Sequence, residues 1–213
     1  MKTGNARIKA GFLTGTAILL GILAQGCSTA PPVREVDAPF NRIAIVNLAD
    51  QPPYEGAGGQ VASLLAEELP QFDPEVDTIV LGRDELDPES GGDYIRRGAV
   101  PLEVLTHVRE RYRADALLVG RVSHFEPYWE PSVGVSLKVL DTANTSLISS
   151  VTGRWDSGTK QVRDKIKRYH ERNRHRDECR FGPNIFTTSP RYFLLFVSHD
   201  IARDILHVPD TPS

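Results

Sequence analysis

The sequence is poor in cysteine, with 2 among 213 residues, Cys27 and Cys179. So few thiols exclude a disulfide-stapled scaffold and a zinc site made of four cysteines. Long apolar runs are also lacking, because the stretch from Ala10 to Ala24 is about 15 residues and a membrane-spanning helix needs roughly 20. The sequence has no nucleophile elbow, metalloprotease helix or kinase motif set, so it predicts no enzyme and no cofactor.

The short apolar run has a definite setting in the chain. Three cations and no acid precede it, Lys2, Arg7 and Lys9, and it ends at Leu23-Ala-Gln-Gly-Cys27. A basic start, an apolar middle and small residues at the end are typical of an export signal. The small residue before Cys27 resembles the lipobox of bacterial lipoproteins, although Ala24 stands where leucine is usual. The resemblance implies that residues 1–26 are removed and that Cys27 becomes a lipidated first residue.

Two alternatives to lipidation stay open, a simple membrane anchor and cleavage by ordinary signal peptidase after Ala30. Pro31 disfavours the second, because it would follow the cut directly. Acyl chains on Cys27 would hold the protein at the membrane without a spanning helix. Residues 27–40 include three prolines and predict an extended tether. A single domain is expected over 41–208, followed by a short tail at 209–213.

The charges of the chain are unevenly distributed. The whole sequence has 25 basic and 28 acidic residues, and removal of the signal leaves 22 against 28, a net charge of −6. A balance of this kind excludes general affinity for nucleic acid. Residues 160–180 hold nine Lys and Arg but four Asp and Glu, which leaves 13 basic and 24 acidic residues elsewhere in the mature chain.

This basic segment is a candidate surface for lipid phosphates, an anionic glycan or an acidic partner. The alternative is a solvated helix with weak ion pairs. The cations predicted to take part in binding are Arg163, Lys167, Arg168 and Arg174.

The hydrophobic pattern predicts one α/β domain with a mixed sheet and flanking helices, in the order β-α-β-α-β-β-β-α-α. Buried strands are expected at 42–48 and 76–81, and a third at 114–125. Strict alternation over 133–140 predicts a strand with one inner face, followed by a turn in which Asn144 suits a left-handed conformation and by a partner strand at 147–155. Helices are predicted over 59–69, around Tyr94, where the helix is short, and from Pro101 onward. A fourth has Val162, Ile166 and Tyr169 on its apolar face, and a buried closing helix is predicted over 190–206.

Three short segments carry a resemblance to a known family. They are Arg42–Val46, Arg113–Val122, and the hairpin strands Gly134–Asp141 and Ser149–Trp155. Together, over about 41–156, they resemble the superfamily of envelope lipoproteins that includes CsgG, LpoB and the N-terminal domain of TolB. Asn144-Thr145 departs from the Thr-Gly usual in its turn, and no spare segment supplies the four spanning strands of a pore. These families are not enzymes, so the resemblance implies assembly or regulation by protein contact.

The link between the third and fourth predicted strands is a second candidate surface. It reads Pro127-Tyr-Trp-Glu-Pro131, with two large aromatics between prolines. Exposed Tyr128 and Trp129 would anchor a partner, because such residues dominate binding hot spots. The alternative is that both rings pack across the sheet edge. Trp155 is expected in the core.

Other metal-capable or glycine-rich patterns predict structure and not chemistry. His170, His175 and Cys179 have spacings that fit no structural zinc site, so they are expected to be solvated or locally paired. Two alternatives stay open for Cys179, burial in the fold or exposure as a thiol available for intermolecular pairing. The loop from Gly56 to Gly59 lacks the third glycine of a dinucleotide site and the Gly-Lys-Ser/Thr of a P-loop. His107, His124 and His199 are interpreted as isolated.

The sequence therefore predicts a lipid-anchored, non-catalytic assembly or regulatory factor of the cell envelope. The expected location is the outer membrane, facing the periplasm, with an envelope protein as the partner. A self-assembling structural or secretion-complex subunit, hence a homo-oligomer, is the alternative. A hydrolase or nucleotide-binding protein is the third and weakest reading.

Overall fold

The computed structural model describes residues 38–52, 55–86 and 100–209, and in them six strands form one mixed sheet. The central strands lie in the order β3-β1-β4-β5-β6, and β2 pairs with β4 beyond the end of β1. Pairs β1–β3, β1–β4 and β2–β4 are parallel, whereas β4–β5 and β5–β6 are antiparallel. The strands are β1 (Arg42–Val46), β2 (Ala49–Asp50), β3 (Asp77–Leu81), β4 (Ala116–Glu126), β5 (Ser132–Asp141) and β6 (Leu147–Asp156).

Helices flank this sheet, so the predicted α/β class and single domain are confirmed. The helix with the strong apolar stripe begins at Ala57 and continues past Pro70 to Phe72. Short helical turns that the hydrophobic pattern did not predict lie at Arg83–Leu86, Asp177–Phe181 and Ile185–Thr188. The helices are α1 (Ala57–Phe72), α2 (Arg83–Leu86), α3 (Leu102–Tyr112), α4 (Lys160–Arg172), α5 (Ile185–Thr188) and α6 (Pro190–Ile205), with a 3-10 helix at Asp177–Phe181 between α4 and α5.

Two hydrophobic clusters cover opposite faces of the parallel strands. Alternate β1 residues contribute to each, Ile43 and Ile45 to the larger cluster and Ala44 and Val46 to the smaller. The larger one contains the apolar faces of α1, α4 and α6 together with the inner face of β5. The smaller one contains the buried side of α3. Each fully buried large apolar side chain contributes about 1.5–3 kcal/mol, so burial of these faces is the main favourable contribution to folding.

Two sequence expectations about the strands are wrong in detail. The segment 76–81 is an edge strand and not a buried one, because β3 pairs only with β1 among the described strands and Val80 is 38 % exposed. In the β5–β6 turn, Thr145 takes the left-handed conformation, with φ of 62°, and Asn144 does not. The Asn144 side chain instead accepts a hydrogen bond from the Ser146 N–H at 2.8 Å, which fixes its backbone.

Several predicted features lie outside the described residues. They are the signal at 1–26, Cys27, most of the tether and the short helix around Tyr94. Within the described ranges, no helix has both the length and the apolar character needed to cross a membrane.

Candidate functional site

The β4–β5 link holds its two aromatic residues in solvent. Tyr128 is 69 % exposed and Trp129 is 97 % exposed. The alternative in which both rings pack across the sheet edge is therefore wrong. Trp129 and Glu130 both have positive φ, 51° and 67°, which for non-glycine residues costs about 1–3 kcal/mol each. The link is secured where the buried Pro131 carbonyl accepts a hydrogen bond from the Ser157 N–H at 3.1 Å.

Helix α4 begins beside this link because β6, which pairs with β5, leads directly into it. The Thr159 hydroxyl caps the helix by accepting a hydrogen bond from the Val162 N–H at 3.4 Å. Arg163 then lies in the first turn, with its Nη1 3.7 Å from Oε1 of Glu130. This contact joins the aromatic link and the basic helix into one surface.

The predicted cations of the basic segment are exposed, while the opposite side of α4 is in the core. Val162, Ile166 and Tyr169 form the buried stripe. Asp164 accepts a hydrogen bond from Lys160 Nζ at 2.6 Å, and this bond lowers the pKa of the Asp164 carboxyl. We call the exposed set the cationic face, which consists of Arg163, Lys167 and Arg168 on α4 and Arg174 just after it.

A cleft opens next to Trp129, with a volume of about 610 Å³. Ser157, one of its lining residues, is almost fully buried, and its inaccessible hydroxyl has no hydrogen-bond partner in the described part of the chain. Sequence reasoning did not find Ser157, which lies in an ordinary Ser-Gly turn with no motif around it. The residues lining this Trp129 cleft are Trp129, Glu130, Ser157, Arg163, Thr187 and Thr188.

A buried ionic cluster lies elsewhere in the molecule, and the sequence interpretation missed it. Glu68 of α1 is fully buried and accepts hydrogen bonds from both terminal nitrogens of Arg176, at 3.0 and 2.6 Å, while its Oε2 lies 2.8 Å from Nδ1 of His199. His199 is therefore not isolated, and Arg176 is not part of a solvated segment. The available signal was a carboxylate on the apolar stripe of α1, since Glu68 directly precedes Leu69 and follows Leu65 by three positions.

The electrostatics of this cluster follow from burial and pairing. Burial alone would raise the pKa of Glu68, but hydrogen bonds and charge from His199 and Arg176 outweigh it and lower that pKa. The same pairing raises the pKa of Arg176. Tyr169 packs edge-on to His199, with ring centroids 4.7 Å apart, and burial together with the Glu68 charge raises the pKa of its hydroxyl. The arrangement links α1, α4, the segment after α4, and α6.

Cys179 and its neighbouring histidines are structural. Cys179 is buried, and burial raises the pKa of its thiol. His170 Nε2 lies 2.8 Å from the Cys179 carbonyl oxygen, and His175 is exposed, so the expected local pairing and solvation are confirmed. No group of three metal-capable side chains occurs within the described ranges.

The glycine-rich loop before α1 is likewise structural. Asp50 accepts hydrogen bonds from the N–H groups of Gly56 and Gly58, at 2.8 and 2.6 Å, so the chain's own carboxylate takes the place of an anion at the helix N-terminus. A Cβ on Gly58 would lie 2.1 Å from the Leu48 carbonyl oxygen, which is why only glycine fits there.

No protein-family model and no curated protein matches this chain. Solved structures similar to it include a PelC dodecamer from Paraburkholderia phytofirmans, at 17 % identity and a TM-score of 0.44, covering 82 % of this chain and 93 % of that one. Lipoprotein GNA1162 from Neisseria meningitidis matches at 11 % identity and a TM-score of 0.40, covering 64 % and 98 %. Protein XCC0632 from Xanthomonas campestris matches at 10 % identity and a TM-score of 0.44, covering 83 % and 89 %. Membership of the CsgG and LpoB superfamily stays a prediction.

Proposed function

We propose that this chain is a lipid-anchored envelope lipoprotein that acts as a non-catalytic assembly or regulatory factor through protein contact. Cys27 would carry the acyl chains, and the tether would hold the domain within reach of an envelope partner. The proposed compartment is the outer membrane, facing the periplasm, as the lipobox and the resemblance to the CsgG, LpoB and TolB superfamily imply.

The observation that carries the proposal is the joining of Trp129 to the cationic face through the Glu130–Arg163 contact. Trp and Arg are the residues most enriched at binding hot spots. Here an exposed indole and the Glu130 carboxylate lie at one end of a surface that continues as the exposed cations of the cationic face. Because its cations are exposed, this surface is complementary to an acidic protein face.

Charge reversal tests this assignment. We expect the triple variant Arg163→Glu, Lys167→Glu and Arg174→Glu to lose its captured envelope partner in a pull-down from cross-linked membranes, while its thermal unfolding stays close to that of the wild type. The matched control reverses three exposed cations elsewhere, Arg109, Arg111 and Arg154, for the same change in net charge. If the first variant keeps the partner, the basic segment is a solvated helix and not a binding surface.

A self-assembling subunit is the second candidate, and the charge asymmetry favours it. A cationic face on one copy can meet the acidic remainder of another, and a head-to-tail contact of this kind forms rings or filaments. Light scattering separates the two candidates. An adaptor stays monomeric as its concentration rises, whereas a subunit grows in mass and loses that growth in the same triple variant.

A further inference from the structure

Strand β6 forms one edge of the sheet, and its outer side pairs with no strand among the described residues. Two clefts run along this side, of about 690 and 430 Å³, and they share Val151, Thr152 and Asp204. The first is lined by every residue from 147 to 152, and the second by every residue from 151 to 156. Because successive side chains of a strand point to opposite faces, clefts lined by consecutive residues follow the backbone and not one face. We call this open backbone the β6 edge.

The hydrogen-bond pattern shows which backbone groups the β6 edge presents. The Ser157 N–H donates to the Pro131 carbonyl at 3.1 Å, and opposite residues of antiparallel strands bond at every second pair. Following the register from this pair, the odd-numbered residues of β6 bond to β5. The N–H and C=O groups of Ser150, Thr152 and Arg154 therefore point outward, and within the described ranges these N–H groups have no acceptor. They are available to an added strand.

The β6 edge lacks the features that keep edge strands from pairing. Such strands are commonly very short, or carry proline, lysine or an irregular register. Strand β6 has 10 residues, neither proline nor lysine, and an unbroken register with β5 from Ser149 to Asp156. The strand at the other edge of the sheet, β3, has 5 residues and begins at the exposed Asp77. Of these two edges, the β6 edge is the one that suits a further strand.

The β6 edge is complementary to a second copy of itself. With two copies antiparallel and Thr152 opposite Thr152, the outward groups of Ser150 meet those of Arg154 in the other copy, and about six backbone hydrogen bonds can form. The two Arg154 side chains are then about 13 Å apart along the strands, so like charges are not opposed. Ser136 Oγ already lies 3.0 Å from Thr152 Oγ1, and a Thr–Thr pair extends this row of hydroxyls into the second copy.

Side chains on the core face fit the same register. Val151 lies opposite Gly153 of the second copy, and Trp155 lies opposite Ser149, so a large side chain faces a small one at each pair. The Trp155 ring already covers its own Gly153, where an added Cβ would lie 2.7 Å from the ring. The two strands can therefore approach without bulky side chains facing each other.

We infer that two copies of this chain pair through their β6 edges at the membrane surface, antiparallel and with Thr152 at the two-fold axis. The contact is isologous, since the same residues serve both copies, and it closes at two copies. The residues lining the two clefts include none of the cationic face, so this pairing goes beyond the proposed protein contact and leaves that surface open. It also differs from the head-to-tail contact of the second candidate.

Pairing depends on the lipid anchor at Cys27, and in this respect it rests on the proposed function. One strand from each copy makes a small contact, and small contacts are typical of weak association. Copies held at one surface meet at a higher effective concentration than copies in solution. We therefore expect pairing among anchored copies and a monomer in dilute solution.

Disulfide cross-linking of the full chain in cell membranes tests the pairing. Opposite residues of a hydrogen-bonded antiparallel pair have Cα atoms about 5.5 Å apart, within the range that a disulfide bridges. We expect mild oxidation to convert Thr152→Cys to a covalent dimer on a non-reducing gel. The thiol of Cys179 is buried, and Cys27 would be acylated, so the wild type should give little background.

Ser150→Cys and Arg154→Cys are matched controls at exposed positions on the same face of the same strand. Each lies about 13 Å from its equivalent in the second copy, too far for a bridge, so each alone should give at least about fivefold less dimer than Thr152→Cys. The variant with both substitutions should recover the dimer, because these two positions are opposite each other. Adding Thr152→Lys to that double variant opposes like charges at the axis and should lower the yield about fivefold.

The pairing is contradicted by equal dimer yields from the three single variants, or by no dimer from a membrane-bound Thr152→Cys chain. The second result is also expected if the tether or tail of the same chain covers the β6 edge. A cross-link from position 152 to a different protein, in place of the dimer, contradicts it as well and assigns the edge to a strand of that protein.

Failure of the pairing and failure of the proposed function are distinguishable in the same samples. A chain absent from the membrane fraction contradicts the anchor, and the pairing with it. The charge reversal at Arg163, Lys167 and Arg174 should remove the envelope partner and keep the Thr152→Cys dimer. Thr152→Lys should do the reverse.

Discussion

Glu68 is fully buried, although acidic side chains are ordinarily exposed. Acidic side chains are almost never fully buried unless they are paired, and Glu68 is paired with Arg176 and His199. The His199 ring also lies against Phe72, with ring centroids 4.7 Å apart. One carboxylate therefore connects α1 to α6 and to the segment after α4, and its loss would leave two donors without their acceptor.

Removal of the Glu68 charge should destabilise the domain. We expect Glu68→Gln to lower the free energy of unfolding by about 3 kcal/mol, because breaking a buried pair leaves an uncompensated charge. Urea denaturation measures the loss. The control is Glu67→Gln, the exposed neighbour on the same helix, which should change stability by less than about 0.5 kcal/mol. Equal stability of the two variants would show that the cluster contributes nothing.

The same carboxylate predicts a dependence of stability on pH. The pKa of Glu68 in the folded state is below its ordinary value of 4.5, so its contribution is fully present above about pH 4.5 and is lost as pH falls through the folded pKa. Urea midpoints measured from pH 6 downward should therefore fall for the wild type. Glu68→Gln should show a shallower fall over the same range. An identical acid slope in both proteins would contradict the assignment.

At the scale of elements, α1 depends on a close approach between its first turn and the link from β1 to β2. Gly58→Ala should destabilise by about 1–3 kcal/mol, because the added Cβ would meet the Leu48 carbonyl oxygen. Gly59→Ala is the matched control, since its nearest neighbour, Asn47 Oδ1, would be 3.8 Å away. A helical glycine with this much room should gain about 0.5–1 kcal/mol on substitution. Thermal unfolding of the two variants should shift in opposite directions.

The order of helices and strands could be predicted because, within each segment, apolar residues recur at the spacing of either a helix or a strand. The alternation of β5 and the stripe of α4 are found as expected, since both bury one face against the larger cluster. The position of β3 at the sheet edge could not be predicted, because a short apolar run has the same pattern whether it has one neighbour or two. Exposure of Trp129 was an open alternative, because it depends on backbone dihedrals that sequence does not reveal.

The Trp129 cleft could not be predicted from the sequence either. Its residues come from the β4–β5 link, the turn before α4, α4 itself and α5, and only the fold brings them together. The pair of Glu68 and Arg176 is separated by 108 positions, although an acid on an apolar stripe indicated that a buried cation would be needed.

At the scale of the whole molecule, anchoring and contact are separate properties of separate segments. The proposed anchor is Cys27, and the proposed contact surface lies more than 100 residues later in the chain. Cys27→Ser should therefore abolish incorporation of labelled palmitate and release the protein from the membrane fraction. Its circular dichroism should match that of the wild type. A variant that still takes up palmitate and still fractionates with membranes would show that the lipoprotein assignment is wrong.

In-cell crosslinking through a photoreactive residue at position 129 or 168 tests the central claim most directly. The proposal predicts that both positions, Trp129 and Arg168, capture the same envelope protein, and that the charge reversal at Arg163, Lys167 and Arg174 removes this product. A photoreactive residue at Arg109, on α3, should not yield that product. Capture of no protein from either position, or of the same proteins from all three, would contradict the account.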